Sequence, residues 1–210
     1  MKTLKLRNVK IKQTEICLLF GLLTAIFCCF FNLVTETKSL SNKLLRLHII
    51  ANSDYCADQE LKIKLKNALL KNFNFDEYSS NINQAKKEIA KKLNSIEAYS
   101  NDFVKKQGFP YCVKAKLEKA PFSTRCYEGF ALPAANYETL KIEIGNACGH
   151  NWWCVFVPAM CVPAAKTKQK LKSVLTTEQT NLIEKGSKTE IRFATLELCE
   201  KIKNKFKRKS

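Results

Sequence analysis

Residues 16–34, ICLLFGLLTAIFCCFFNLV, run for nineteen positions without a charge. At 1.5 Å rise per residue a helix of this length spans about 28 Å, close to the ~30 Å hydrocarbon core of a bilayer. It is apolar all round, which argues against a surface helix and against an ordinary core helix. Five cations precede it (Lys2, Lys5, Arg7, Lys10, Lys12), while only Glu36 and Lys38 lie close behind. Positive charge stays on the cytoplasmic side, so everything after about residue 35 is expected outside the cytosol. The run exceeds the 7–15 residues of a secretory signal, and VTETKS offers no small-x-small cleavage site. The reading is a basic cytoplasmic segment (1–15), a transmembrane anchor or uncleaved signal (16–34) and a short polar linker (35–43).

The net charge of +17 raises the question of nucleic acid. Much of it is terminal: residues 1–15 carry a net +4 and residues 201–210 a net +6. Aromatic residues interleaved with arginine along a basic stripe are missing, so no nucleic-acid partner is expected. Residues 164–210 read as a basic, mostly solvated C-terminal extension. One strand is expected over 189–194, and a weakly amphipathic last helix carries Leu196, Cys199, Lys203 and Phe206.

Between these ends the hydrophobic period changes along the chain. Residues 44–51, LLRLHIIA, read as a strand with Arg46 and His48 on one alternating face. Asn52-Ser53-Asp54 is a turn and cap cluster. A helix from Ala57 places Leu61, Leu65, Ala68 and Leu69 on one face. A second helix is expected over 80–95, and a short third one over 98–107 ending at Gly108. Residues 111–118 then alternate as a strand that Pro121-Phe122 breaks, and 125–127 form a short strand. AANYE reads as a turn or brief helix, and 140–144 as a strand ending in a hairpin-type Gly145-Asn146 turn. Residues 151–157 are continuously apolar and read as a strand buried on both sides. Helices ahead of a group of strands predict an α+β domain, its helices packed on a mainly antiparallel or mixed sheet.

Catalytic constellations are sparse. His48 and His150 are the only histidines. His150 and Cys154 are four apart, about 13 Å along a straight strand, too far to form a nucleophile–base pair. There is no CxxC, GxSxG or HExxH. Asp54, Asp58 and Glu60 read as charges at a helix start. No catalytic residue, metal site or cofactor is expected. Cys154 and Cys161 form a candidate disulfide, with two buried free thiols as the alternative. Trp152 and Trp153 point to opposite faces of a regular strand. The more exposed of the two is a candidate partner anchor.

Three stretches carry a resemblance: LRLHIIANSD (45–54), LPAANYETLKIEIG (132–145) and NWWCVFVPAMC (151–161). KAKLEKAPFSTRCY (114–127) adds a strand–Pro-Phe–strand pattern. In this order, after an apolar N-terminus, they resemble the stage II sporulation protein R family across residues 44–163. Arg46, His48, Asn52, Asp54, Asn151, Trp152, Trp153 and Cys154 are the residues that carry the likeness. Pro158-Ala159-Met160-Cys161 departs from the family's double proline before the second cysteine, and Cys56, Cys126 and Cys148 are not family positions.

The resemblance implies a signalling protein and not an enzyme. It would be exported from the forespore into the space between the forespore and mother-cell membranes. Its partner would be a membrane-embedded aspartic protease of the mother cell, which processes the precursor of the early mother-cell sigma factor. The alternatives are a cell-envelope hydrolase or a basic adaptor at the membrane or wall surface.

Overall fold

A computed structural model describes residues 13–73, 82–127, 130–157 and 175–186. The chain divides into two units, residues 1–36 and 37–210. The first contains most of α1 (Gln13–Asn42), the one helix among the described residues long and apolar enough to cross a membrane. Leu18, Phe20, Phe27 and Phe31 are all more than 60% exposed on it, so among the described residues no protein core covers its apolar stretch. Thr24 and Thr35 return their hydroxyls to carbonyls one turn back, which hides their polarity.

Helix α1 continues through Asn42, across the residues expected to form a polar linker. Burial of Thr37, Leu40 and Ser41 in the second unit explains this, because tertiary packing outweighs the weak helix propensity of the TETKSLSN stretch.

The second unit is an α+β domain. Strand β1 (Leu45–Ile50) lies inside a four-stranded sheet of order β2-β5-β1-β6. The other strands are β2 (Val113–Phe122), β5 (Ala135–Ile144) and β6 (Asn151–Val157), and β1 pairs with β5 and β6. β1 runs parallel to β5 and antiparallel to β6, so the sheet is mixed. Helices α2 (Cys56–Asn72) and α3 (Ile82–Lys106) cover one face. Leu47 and Ile49 meet Leu61, Leu65, Ile89 and Ile96 there, all under 2% exposed. Each such side chain contributes about 1.5–3 kcal/mol by leaving water.

The opposite face is covered over part of its area. A separate two-stranded sheet, β3 (Arg125–Tyr127) with β4 (Phe130–Leu132), and helix α4 (Thr177–Gly186) pack there with Leu40, Leu44, Phe122, Tyr137 and Val155. The remainder carries a charged lattice in which Lys141 bridges Glu118 and Glu143, and Lys116 also pairs with Glu143.

Several expectations are corrected. The two helices expected over 80–95 and 98–107 are one, α3, because Ala85, Ile89, Ile96 and Val104 form one buried stripe with no breaker between them. Gly108, at φ +83°, ends it as expected. Residues 135–138 of AANYE, expected as a turn or brief helix, are strand, since β5 extends to Ala135 by pairing with Phe122. β2 continues through Pro121, whose missing N–H falls on the outer edge of an edge strand. Further along that edge, Asn101 pairs with both backbone groups of Val113, and Glu97 accepts from Ala115 N at 2.8 Å, so α3 side chains stand in for a missing strand.

Among the described residues, 151–157 pair with β1 alone, and the burial expected on both faces holds at Cys154 and Val155, while Trp152 and Trp153 are half-buried and Asn151 is exposed. Their apolar character comes from sheet faces that are both covered near Cys154 and Val155. Gly145-Asn146 does not make a hairpin, because β5 and β6 lie on opposite sides of β1. Within the C-terminal extension, expected to be mostly solvated, Leu175, Gln179 and Ile183 are buried. Thr176 and Gln179 cap α4 reciprocally, and Gln179 also bonds Lys43 and Ser39. The strand and helix expected over 189–194 and 196–206 lie outside the described residues.

Candidate functional site

Six of the eight family-signature residues fall into two clusters, both built on β1, while Trp152 and Cys154 face the α2–α3 core. The first lies where β1 ends. The loop from β5 to β6 must pass over that end, and residues 52–54 hold it there. Cys148 N and Gly149 N donate to Asn52 O and Ala51 O. Asn52 Oδ1 accepts from Asn146 N, while its Nδ2 donates to Asp58. Ser53 donates to the same carboxylate at 2.6 Å. Burial pushes the Asp58 carboxyl up, but hydrogen bonds from Ser53, Asn52 and Tyr111 outweigh this and hold it below the ordinary range. Asp58 is therefore a buried hub as well as a helix-start charge, a role that residue spacing alone does not reveal.

Asp54 accepts from the backbone N of His150 at 2.6 Å and meets its Nδ1 at 2.5 Å. These bonds, the side-chain one foremost, hold the Asp54 carboxyl low. Lys62, only 4% exposed, donates to His150 O. The loop is tight. A Cβ on Gly145 (φ +57°) would lie 2.3 Å from Asn52 Oδ1, and one on Gly149 would lie 2.2 Å from Ser53 O. Asn52 and Asp54 thus act as straps. His150 is exposed, and among the described residues no hydroxyl or thiol is bonded to its ring. The nearby Cys148 thiol donates to Asn146 O. Among the described residues no group of three or more His, Cys, Asp or Glu is arranged to hold a metal.

The second cluster lies on the sheet face away from α2 and α3. Arg46, His48 and Trp153 project from the same side because β1 and β6 pair His48 with Trp153 and Arg46 with Val155. The His48 ring stacks on Trp153, and Phe122 meets the indole edge-on. Asn151 Oδ1 bonds His48 Nε2 at 2.9 Å. Burial lowers the His48 pKa, opposed by the Asn151 bond. Arg46 is fully buried under Phe122 and Tyr137. Burial lowers its pKa too, opposed by Tyr127 and Tyr137 and, among the described residues, by no carboxylate paired with it.

Trp152 and Trp153 do point to opposite faces. Trp152 packs beside the α2–α3 core with Lys66 Nζ 4.3 Å from its ring centre. Trp153 packs on the other side, with the exposed Arg125 guanidinium 6.0 Å from its ring. Both indoles are half-buried. Cys154 is a disulfide cysteine. Its expected partner, Cys161, lies outside the described residues.

The family model for stage II sporulation protein R matches residues 41–167. This range takes in every strand described and both clusters. A curated relative from Bacillus subtilis (strain 168), itself named stage II sporulation protein R, is 33% identical over 123 residues. The alignment covers 58% of this chain and 55% of the relative, so the chain spans about half the length of the curated protein it matches. No solved structure matches the chain. With its match extending over more than half of its residues, the chain belongs to the stage II sporulation protein R family, a family of sporulation proteins.

Proposed function

We propose that the domain is an exported sporulation signal that acts by binding. Its target is a membrane-embedded aspartic protease of the mother cell, which then processes the precursor of the early mother-cell sigma factor. The observation that carries this reading is the family match over 41–167, which follows directly on a helix able to cross a membrane. The basic residues before that helix favour an extracytoplasmic domain. Trp153 supplies a recognition element of the right kind. It is a half-buried aromatic held by His48 and Phe122, beside the exposed Arg125. Co-expression of this chain with the protease and the sigma-factor precursor in a host that does not sporulate tests the reading.

A hydrolase of the envelope is the second reading, and the exposed Asp54–His150 pair favours it. A carboxylate on Nδ1 is how a catalytic imidazole is oriented. Here the same carboxylate also holds His150 N and so fastens the loop. Release of wall fragments by the purified protein, lost in His150→Gln, would move the assignment to this class.

A further inference from the structure

Arg46 is the largest fully buried side chain among the described residues, and it is incompletely bonded. Its Nη2 donates to Tyr127 Oη at 2.8 Å, whereas Nε and Nη1 are buried with no acceptor. Among the described residues no carboxylate pairs with it. The Phe122 and Tyr137 rings, 4.0 and 5.1 Å from the guanidinium carbon, attract the cation without accepting a hydrogen bond in its plane. Arg125 adds a second positive charge that acts against it. A buried guanidinium with two idle donors and a neighbouring cation is an unfavourable arrangement in the free protein. An arginine fork is shaped for a planar, two-oxygen anion.

We propose that Arg46 is the seat for a carboxylate presented by the protein's partner, an inference that rests on the binding role given above. The route in is at Tyr127, which is half-buried and supplies the one acceptor Arg46 has. Tyr127 belongs to β3, and among the described residues β3 pairs with β4 alone, three residues each. Moving it breaks no ladder bond of the four-stranded sheet. Arg125 and Trp153 flank the entry, so an acidic side chain meets a cation first and the buried fork second. With Tyr127 displaced, the carboxylate takes the Nε–Nη2 edge side-on, one oxygen on the idle Nε and the other in the place of the phenol oxygen on Nη2.

The test uses the full chain in detergent micelles with acetate as the probe, against chloride at equal ionic strength. Acetate raises the melting temperature of the wild type by a few degrees, saturably, and chloride does not. Arg46→Met stays folded, melts no lower than the wild type and loses the acetate response, because an uncompensated charge has been replaced by an apolar chain. The same variant loses protease activation in co-expression. Arg46→Lys, which keeps the charge but not the fork, loses most of the acetate response. An Arg46→Met protein that melts well below the wild type, or a wild type indifferent to acetate, overturns the proposal, as does Arg46→Met with full activation. If the wild type fails to activate the protease, the binding role falls, while the acetate response still decides whether Arg46 is a carboxylate seat.

Discussion

His48 and Trp153 face each other across the β1–β6 ladder with ring centroids 3.6 Å apart and planes inclined by 17°. The contact joins a titratable ring to the candidate anchor. Burial, with Lys141 adding repulsion, keeps the His48 pKa below its ordinary value, against the pull of Asn151, Glu118 and Glu143. The unfolded chain therefore binds a proton more readily than the folded one in the window just below about pH 6.5. Stability is complete above that value and is lost as pH falls through the window. Melting curves between about pH 7.5 and 5.5 should show the wild type weakening, and His48→Phe, which keeps an aromatic surface, holding its stability. Equal losses in both proteins contradict this account.

The two tryptophans should separate by phenotype. Trp152 is packed against the helical core, so Trp152→Ala costs stability, on the order of 1–3 kcal/mol for a half-buried indole. Trp153→Ala is expected to lower protease activation by about tenfold or more in a protein that remains folded. Chemical denaturation and the co-expression assay, run on both variants, read the two effects. Full activation by a folded Trp153→Ala protein removes the anchor.

The glycines of the loop over β1 differ in what opposes a side chain. At Gly149 it is backbone, Ser53 O, which cannot move aside. At Gly145 it is the Asn52 side chain, with the positive φ as an added strain. Gly149→Ala is expected to destabilise by about 2 kcal/mol or more. Gly145→Ala should be relieved in part by Asn52→Gly, which removes the obstructing amide at the expense of its bonds to Asn146 and Asp58. A double-mutant cycle on Gly145 and Asn52 that is strictly additive would show the two do not meet.

For the cysteines, the expected pairing of Cys154 with Cys161 has a simple readout in unreduced, denatured protein. Cys154→Ser should raise the free-thiol count by one by releasing its partner, and Cys161→Ser should do the same. Cys199→Ser should lower it by one. Losing the bridge costs about 2–3 kcal/mol by the chain-entropy argument. If Cys161→Ser lowers the count instead, the partner is not Cys161.

The membrane-length helix, the strand at Arg46 and His48, and the opposite facing of Trp152 and Trp153 were legible because each depends on local periodicity. Long-range geometry was not. Nothing in the loop sequence indicates that it passes over the end of β1, so the roles of Asn52, Asp54 and Asp58 emerge only from partners more than ninety residues away or from a buried helix start. Pro121 reads as a breaker until its strand is known to be an edge. The burial of Gln179 against Ser39 and Lys43 is likewise invisible in a lysine-rich extension. The alternation of LLRLHIIA places Arg46 on a face, but does not say that this position is covered over, with no carboxylate paired to it among the described residues.

Cleavage of the sigma-factor precursor in a non-sporulating host that also makes the mother-cell protease tests the central claim most directly. The account predicts processing when this chain is exported alongside them, none when it is omitted, and much reduced processing with Trp153→Ala. Precursor left intact in the presence of folded, exported wild-type chain, or processed equally without it, would contradict the account.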